Sequence, residues 1–399
     1  MITGVSISGL VLGVAIICIV LSVLNGFRAI VSDLFLTIET ETEIIPLSGK
    51  YGVFPDSLLT ELKEERRFQS AERFISTKVL MLSQKQSAMV TLKAVSETSL
   101  QNLSSQFIFG HNNLSPYGIA IGVGVSRSYS LEPNEPIRLL TPELVSAGLE
   151  ALENPFLPSV LQPPAFTIEN VFSSHRLYDD ATIVASLKTV QDNLSLKPFE
   201  ASGVAVRFQE GNFGRFDFEA KRRYLQSWLE ENGYGNRFRA TGLDEKHEAL
   251  FRVMKLEKWG SFAILLLAVL IASLSLIGSL TMTAIEKRRD LFILSCTGLG
   301  NTALQLIFVM EGCMVAFIGI CGGILVSALI LYLQIQFGLI RLPYSEGFII
   351  SSYPVFIEYS DFIVVILATL FISILASLYP AYKAKELSLR YAKFREDRD

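Results

Sequence analysis

Four stretches of this chain are long, apolar and almost free of charge, and they decide what it can become. Met1 to Phe27 carries no charged residue, and neither does Trp259 to Ile285. Leu291 to Ile340 carries only Glu311, and Phe362 to Tyr382 carries none. Each is at least as long as the roughly 20 residues that cross a bilayer as a helix. Hydrocarbon admits only helices and closed barrels, because every backbone N–H and C=O must be satisfied internally. Runs this continuous do not alternate as barrel strands do. Transmembrane helices are therefore expected near 4–25, 261–285, 302–333 and 362–381.

Residues 28–258 separate the first two runs and have an ordinary soluble composition. That length is enough for a sizeable core. The expected class is an α-helical integral membrane protein with four transmembrane helices and a large α+β extracytoplasmic domain between helices 1 and 2. The segments follow as helix 1 over 1–27, the domain over 28–258, helix 2 over 259–285 and a cytoplasmic helix over 286–301. Helix 3 covers 302–333, an outer loop 334–361, helix 4 362–382 and a tail 383–399.

Charge sets the orientation. The loop 286–301 holds Lys287, Arg288 and Arg289, and the tail holds Lys383, Lys385, Arg390, Lys393, Arg395 and Arg398. The loop 334–361 holds Arg341 against Glu346, Glu358 and Asp361. Positive residues stay in the cytoplasm, so 286–301 and the tail are expected inside and the large domain outside. The net charge of −4 matters less than this asymmetry. The first helix is expected to be an uncleaved anchor, since its apolar core exceeds that of a signal peptide and no basic region precedes it. Either its inner flank is very short or a cytoplasmic leader precedes it.

Several chemistries find no support. Cys18, Cys296, Cys313 and Cys321 all fall in membrane or cytoplasmic segments, so the outer domain folds without disulfides. His111, His175 and His247 are isolated and no CxxC occurs, so no metal site is expected. No GxxxxGK[ST] phosphate loop is present, and no Ser/His/Asp set can be assembled. The chain is expected to be non-catalytic, with no nucleic-acid partner.

Inside the domain, Thr42–Leu47 reads as a strand and Pro55–Arg67 as a helix with Leu58, Leu59 and Leu62 on one side. Phe74–Leu82 and Ser87–Val95 read as a hairpin about "SQKQ". Residues 118–131 read as strand, glycine turn and short helix, and 136–142 as a strand. Strands are expected again over 165–174, at 181–194 leading into a helix, and over 201–208. A helix is expected over 216–233, and a last strand over 237–243. Asp244 is expected to cap a helix running into the second membrane helix. Asp179 and Asp180 read as a solvated turn. Pro155, Pro158, Pro163 and Pro164 mark 143–165 as an exposed loop or subdomain insertion.

Three features stand out as candidate functional residues. Glu286, Lys287, Arg288, Arg289 and Asp290 form a charged run, followed by Leu291, Ile293 and Leu294 as an apolar side and Gly298 as a stop. This could be a basic loop that only fixes topology, or a short helix that docks a partner. Asn301 is expected to cap the next helix. Gly312, Gly319 and Gly323 are expected to serve close helix packing, the last two as a small-xxx-small pair. Glu311 is the one acid in a membrane helix, read either as a coupling residue or as a hydrogen-bonded neighbour.

The segments "LSVLNGF" (21–27), residues 256–282, "EKRRDLFILSCTGLGN" (286–301) and "FVMEG" (308–312) resemble the transmembrane subunits of the lipoprotein-releasing (Lol) system. These belong to a wider superfamily with the macrolide exporter and the cell-division permease. The stretch 118–142 is similar in layout, with Pro133, Asn134 and Glu135 departing from the pattern. The resemblance implies a bacterial inner-membrane permease that pairs with a second permease, identical or paralogous, and with a separate cytoplasmic ATPase that binds ATP and magnesium. It implies that 286–300 receives the ATPase stroke, that a lipoprotein is extracted from membrane lipid, and that a periplasmic carrier collects it. It places carrier contact near Pro155, Pro158 and Pro163. Alternatives within the superfamily are a regulator of a peptidoglycan hydrolase, and an efflux or peptide-sensing permease.

Overall fold

The computed structural model describes residues 2–396, apart from 37, 84–85, 104–106, 111–113, 143–164, 174–178, 195, 210, 212, 298 and 341–351. Two compact units are present. One joins Met1–Ile30 to Ala249–Asp399, and the other is Val31–Glu248.

The first unit is a bundle of long helices. They are α1 (Ile2–Leu36), α8 (Glu248–Glu286), α10 (Asn301–Phe337) and α11 (Tyr359–Glu396), with the short α9 (Arg288–Cys296) between α8 and α10. Segments apolar enough to cross a membrane cover Gly4–Leu36, Glu248–Glu286, Thr302–Phe337 and Tyr359–Lys383. These helices overrun the expected ends by about one to four turns, most at the end of α11, which carries the expected tail on as helix to Glu396. A helix does not stop where its apolar run stops; it stops at a breaker or a cap. No glycine or proline lies between Gly26 and Leu36, so α1 continues past Arg28 and Asp33. Gly338, in the left-handed region at φ 55°, ends α10. The bundle core holds Leu10, Val14, Ile17, Leu21, Val269, Leu276, Leu280, Val315, Ile320 and Val365.

The second unit is α+β. Its strands are β1 (Thr42–Pro46), β2 (Gly52–Val53), β3 (Phe68–Leu82), β4 (Ser87–Val95), β5 (Phe107–Phe109) and β6 (Gly118–Gly122). Then follow β7 (Pro136–Leu140), β8 (Ala165–Phe172), β9 (Thr182–Ser186), β10 (Glu200–Ala201), β11 (Gly203–Phe208) and β12 (Phe238–Gly242). Its helices are α2 (Asp56–Glu64), α3 (Glu97–Leu103), α4 (Val123–Ser128), α5 (Leu187–Asn193), α6 (Phe218–Glu231) and α7 (Leu243–Lys246). The main sheet runs β12-β1-β11-β3-β4-β9-β6-β8-β5, and β7 pairs with both β3 and β8.

The long β3 organises this sheet. Its first half, Phe68–Phe74, pairs antiparallel with β11, and its second half, Ile75–Leu82, pairs with β4. At Leu80–Leu82 its other edge takes up β7. The pairings β3-β4-β9-β6-β8-β7 therefore return to β3 and close a ring. Closure leaves these strands no free edge. Phe166, Ile168, Ile183, Val79, Met81 and Leu139 are buried in the core that includes this ring. Alternation along β3 and β4 puts Val79 and Met81, with Val90 and Leu92, on buried positions.

Helices cover what the sheet leaves. In α2, Leu58 and Leu62 are fully buried. In α6, Leu225, Trp228 and Leu229 face the core, and Asp217 caps the start by accepting from the Ala220 N–H at 3.1 Å. Two expectations change. Asp244 does not cap a long helix: it lies within the one-turn α7, and the long helix starts afresh at Glu248 after His247. Asp179 is not solvated: it is buried and accepts from Ser173 Oγ at 3.2 Å. Its backbone also leaves no room for a Cβ at Gly122, which explains a glycine at that strand end.

Candidate functional site

The charged run leads from one helix into the next. Glu286 closes α8, Lys287 occupies the N-cap position of α9, and Arg288, Arg289 and Asp290 fill its first turn. All five side chains are exposed. At about 100° per residue, Leu291 and Ile293 point to nearly opposite sides of a helix. The structure separates them accordingly. Leu291 is 5% exposed and packs with Ala284, Leu304, Phe308 and Ala381. Ile293 and Leu294 are exposed at 50% and 39%. The expected single apolar side is thus divided. Leu291 is the anchor of α9, while Arg289, Ile293 and Cys296 share its outward face.

Ala381 belongs to α11, near the end of its apolar span Tyr359–Lys383, so α9 is fastened to that part of the helix. Pro380 lies next to it and brings no N–H to the helix ladder. Gly298 lies outside the described residues. Gly300, with φ −66° and ψ 154°, holds the N-cap position of α10, so Asn301 is its first helical residue and not the cap.

The glycines of α10 sit at close approaches. A Cβ at Gly312 would lie 2.6 Å from the Ser377 Cβ on α11. At Gly319 it would meet the Leu10 Cβ at 2.7 Å, and at Gly323 the Val14 Cβ at 2.6 Å, both on α1. Gly322 likewise meets Val11 at 2.8 Å. Glu311 is half-buried, one turn beyond the buried Phe308, with no ion pair or hydrogen bond among the described residues. Pro155, Pro158 and Pro163 lie outside the described residues.

The outer unit carries a charged network that sequence reasoning missed. Lys246 of α7 pairs with Glu43 at 2.6 Å and Glu39 at 3.4 Å. His247 Nε2 lies 3.3 Å from Glu39, and its ring stacks on Phe35 with centroids 4.0 Å apart. Lys221 pairs with Glu41 at 2.8 Å, and Arg215 with Asp33 at 3.0 Å. Lys93 Nζ donates to the Ile38 carbonyl at 2.6 Å. The Lys246 and His247 contacts tie the chain that leaves α1 to the chain that enters α8, and the others tie it to the rest of the domain. Burial disfavours the charge on Lys246, but Glu43 and Glu39 outweigh it and raise its pKa above the usual lysine value. Burial lowers that of Lys93, and nearby Glu43 restores only part of the loss. The available signal was the alternation Glu39-x-Glu41-x-Glu43 entering a strand; its partners lie up to 208 residues away.

A cavity of about 370 Å³ opens beside this network, lined in part by Asp33, Glu72, Arg73, Lys93, Arg207 and Arg215. Among the described residues no group of His, Cys, Asp and Glu could hold a metal ion.

Comparison with known proteins adds the family context. The model described as MacB-like periplasmic core domain matches residues 3–212, and the model described as FtsX-like permease C-terminal matches 262–389. The lipoprotein-releasing system transmembrane protein LolC of Neisseria meningitidis serogroup B is 24% identical over 98% of this chain and 94% of its own length. LolE of Haemophilus influenzae, bearing the same system name, is 22% identical over 95% of this chain and 91% of its own. The solved periplasmic region of MacB from Actinobacillus actinomycetemcomitans aligns with 54% of this chain and 95% of its own, at 10% identity and a TM-score of 0.36.

Proposed function

The chain belongs to the family with a MacB-like periplasmic core domain, as a LolC/LolE-type ABC permease of the MacB/FtsX superfamily, and on that premise we propose that it releases lipoproteins. It is a membrane protein with a periplasmic domain. On this reading it sits in the bacterial inner membrane, paired with a second permease subunit, identical or paralogous. A separate cytoplasmic ATPase binds ATP and magnesium and does the chemistry. This chain converts that ATPase's movement into extraction of a lipoprotein from the outer leaflet, and a periplasmic carrier collects the product.

The observation that carries the coupling role is the division of α9. Leu291 locks one side of it to α8, α10 and α11, while Arg289, Ile293 and Leu294 remain outside. A helix that only fixed topology would need neither the lock nor the exposed apolar residues. The substrate class is supported by relatives bearing the lipoprotein-releasing name along nearly the whole chain. Energetics agree, because each acyl CH₂ brought into water costs about 0.8 kcal/mol, so extraction needs a driven step. The test is to deplete this protein and follow lipoproteins by fractionation. They are expected to accumulate in the inner membrane, and unchanged delivery to the outer membrane would overturn the reading.

A further inference from the structure

The segment Ser22–Phe27, "SVLNGF", lies near the outer end of the apolar run of α1, and it seats an extended strap at 353–358. The Phe356 N–H donates to the Ser22 carbonyl at 3.0 Å. Asn25, 3% exposed, donates from Nδ2 to Asp361 Oδ2 at 2.6 Å. A Cβ at Gly26 would collide with the Pro354 carbonyl, so only glycine lets the strap lie this close. The Phe27 ring meets Tyr353 edge-on, with centroids 6.0 Å apart and planes at 88°. Four residue types in six positions thus serve one contact.

The strap also reaches the other helices. Lys258 of α8 pairs with Asp361 at 2.7 Å and Glu358 at 3.1 Å. Gln334 near the end of α10 donates to the Tyr353 carbonyl at 3.3 Å. The strap then runs straight into α11. Some 20 residues further along, α11 holds Ala381, which packs with Leu291 of α9. So α11 touches the coupling helix at Ala381 and, through Asp361 near its start, both α1 and α8. Those are the two helices whose chains continue into the outer domain.

We infer that Asn25, Gly26, Lys258 and Asp361 form a mechanical joint that passes the displacement of α11 to α1 and α8. Coupling of this kind needs contiguous, discrete contacts with little slack. A hydrogen-bonded ion pair and a backbone-to-backbone seat supply them. All four are positioning residues and none touches substrate. The inference rests on the reading of α9 as the point where the ATPase stroke enters.

The test uses the full permease–ATPase complex in lipid nanodiscs, with Asp361→Ala, Gly26→Ala and the conservative Asp361→Glu. Three quantities are read: ATP hydrolysis, lipoprotein released per ATP, and the nucleotide-dependent change in hydrogen exchange over 38–47 and 238–248. Asp361→Ala and Gly26→Ala should keep assembly and hydrolysis. They should cut release per ATP and the exchange change about tenfold, a common size for coupling between sites. Asp361→Glu should restore part of both. The joint is overturned if the exchange change survives both variants, if hydrolysis falls in proportion to release, or if both variants fail to assemble, which would make the contact a static brace. A wild-type complex that shows the exchange change but releases no lipoprotein would refute the substrate reading and leave the joint standing.

Discussion

Leu291 and Ile293 are two residues apart in sequence and have different tasks. Leu291 lies in an apolar cluster with no charged partner, so Leu291→Asp buries an uncompensated carboxylate. That costs about 3–5 kcal/mol, and the purified protein should melt at a lower temperature. Ile293 is half exposed, so Ile293→Asp should leave the melt unchanged and still prevent co-purification of the ATPase. Equal loss of stability in both variants would contradict the division of the helix. Lys93 offers a second contrast. Its pKa is lowered in the folded state, chiefly by burial, so between that value and the unfolded 10.5 the folded protein binds fewer protons than the unfolded chain. Stability then rises with pH across this window. Lys93→Met lacks the desolvated cation, so it should melt above wild type at pH 7, and the gap should narrow as pH approaches 10.5. A gap independent of pH would show that Lys93 acts through packing alone.

At the scale of elements, what was legible followed from local pattern. The hairpin of β3 and β4, the short helix after Gly122 and the amphipathic α6 all announce themselves through alternation, glycine or a capping aspartate within a few residues. The ring closed by β7 does not, because Leu80 pairs with Leu140 and Thr167 with Pro136 by contacts that no window of sequence contains. The charged network is hidden for the same reason: Glu43 meets Lys246 across some 200 residues. Helix ends were misread wherever hydrophobicity stood in for a stop signal. Glycine spacing on α10, by contrast, was readable, since residues four apart share a face. Gly323→Leu should therefore force α10 from α1 against Val14 and lower the melting temperature markedly. Gly278, with nothing within 4 Å of its Cβ position, is the control. Gly278→Ala should be neutral or stabilise by up to about 1 kcal/mol through helix propensity. A Gly323→Leu protein as stable as Gly278→Ala would remove the packing role.

At the scale of the whole molecule, the proposed function depends on sidedness: it requires α9 to face the side of the ATPase and the folded domain to face the periplasm. Two features support this in sequence. Basic residues crowd 286–301 and the tail, whereas 334–361 is acidic, which places α9 inside. With α9 inside, α8, long and apolar enough to cross a membrane, puts the domain that precedes it on the other side. Native Cys296 is exposed on α9, and Met89 is 68% exposed on β4, so each reports one side. In intact spheroplasts of cells carrying Met89→Cys, a membrane-impermeant maleimide should label position 89 and spare Cys296. After permeabilisation both should react. The remaining cysteines, Cys18, Cys313 and Cys321, lie in membrane-crossing helices, where a charged reagent cannot follow. Labelling of Cys296 in intact cells would invert the topology, and with it every step that brings the ATPase to α9.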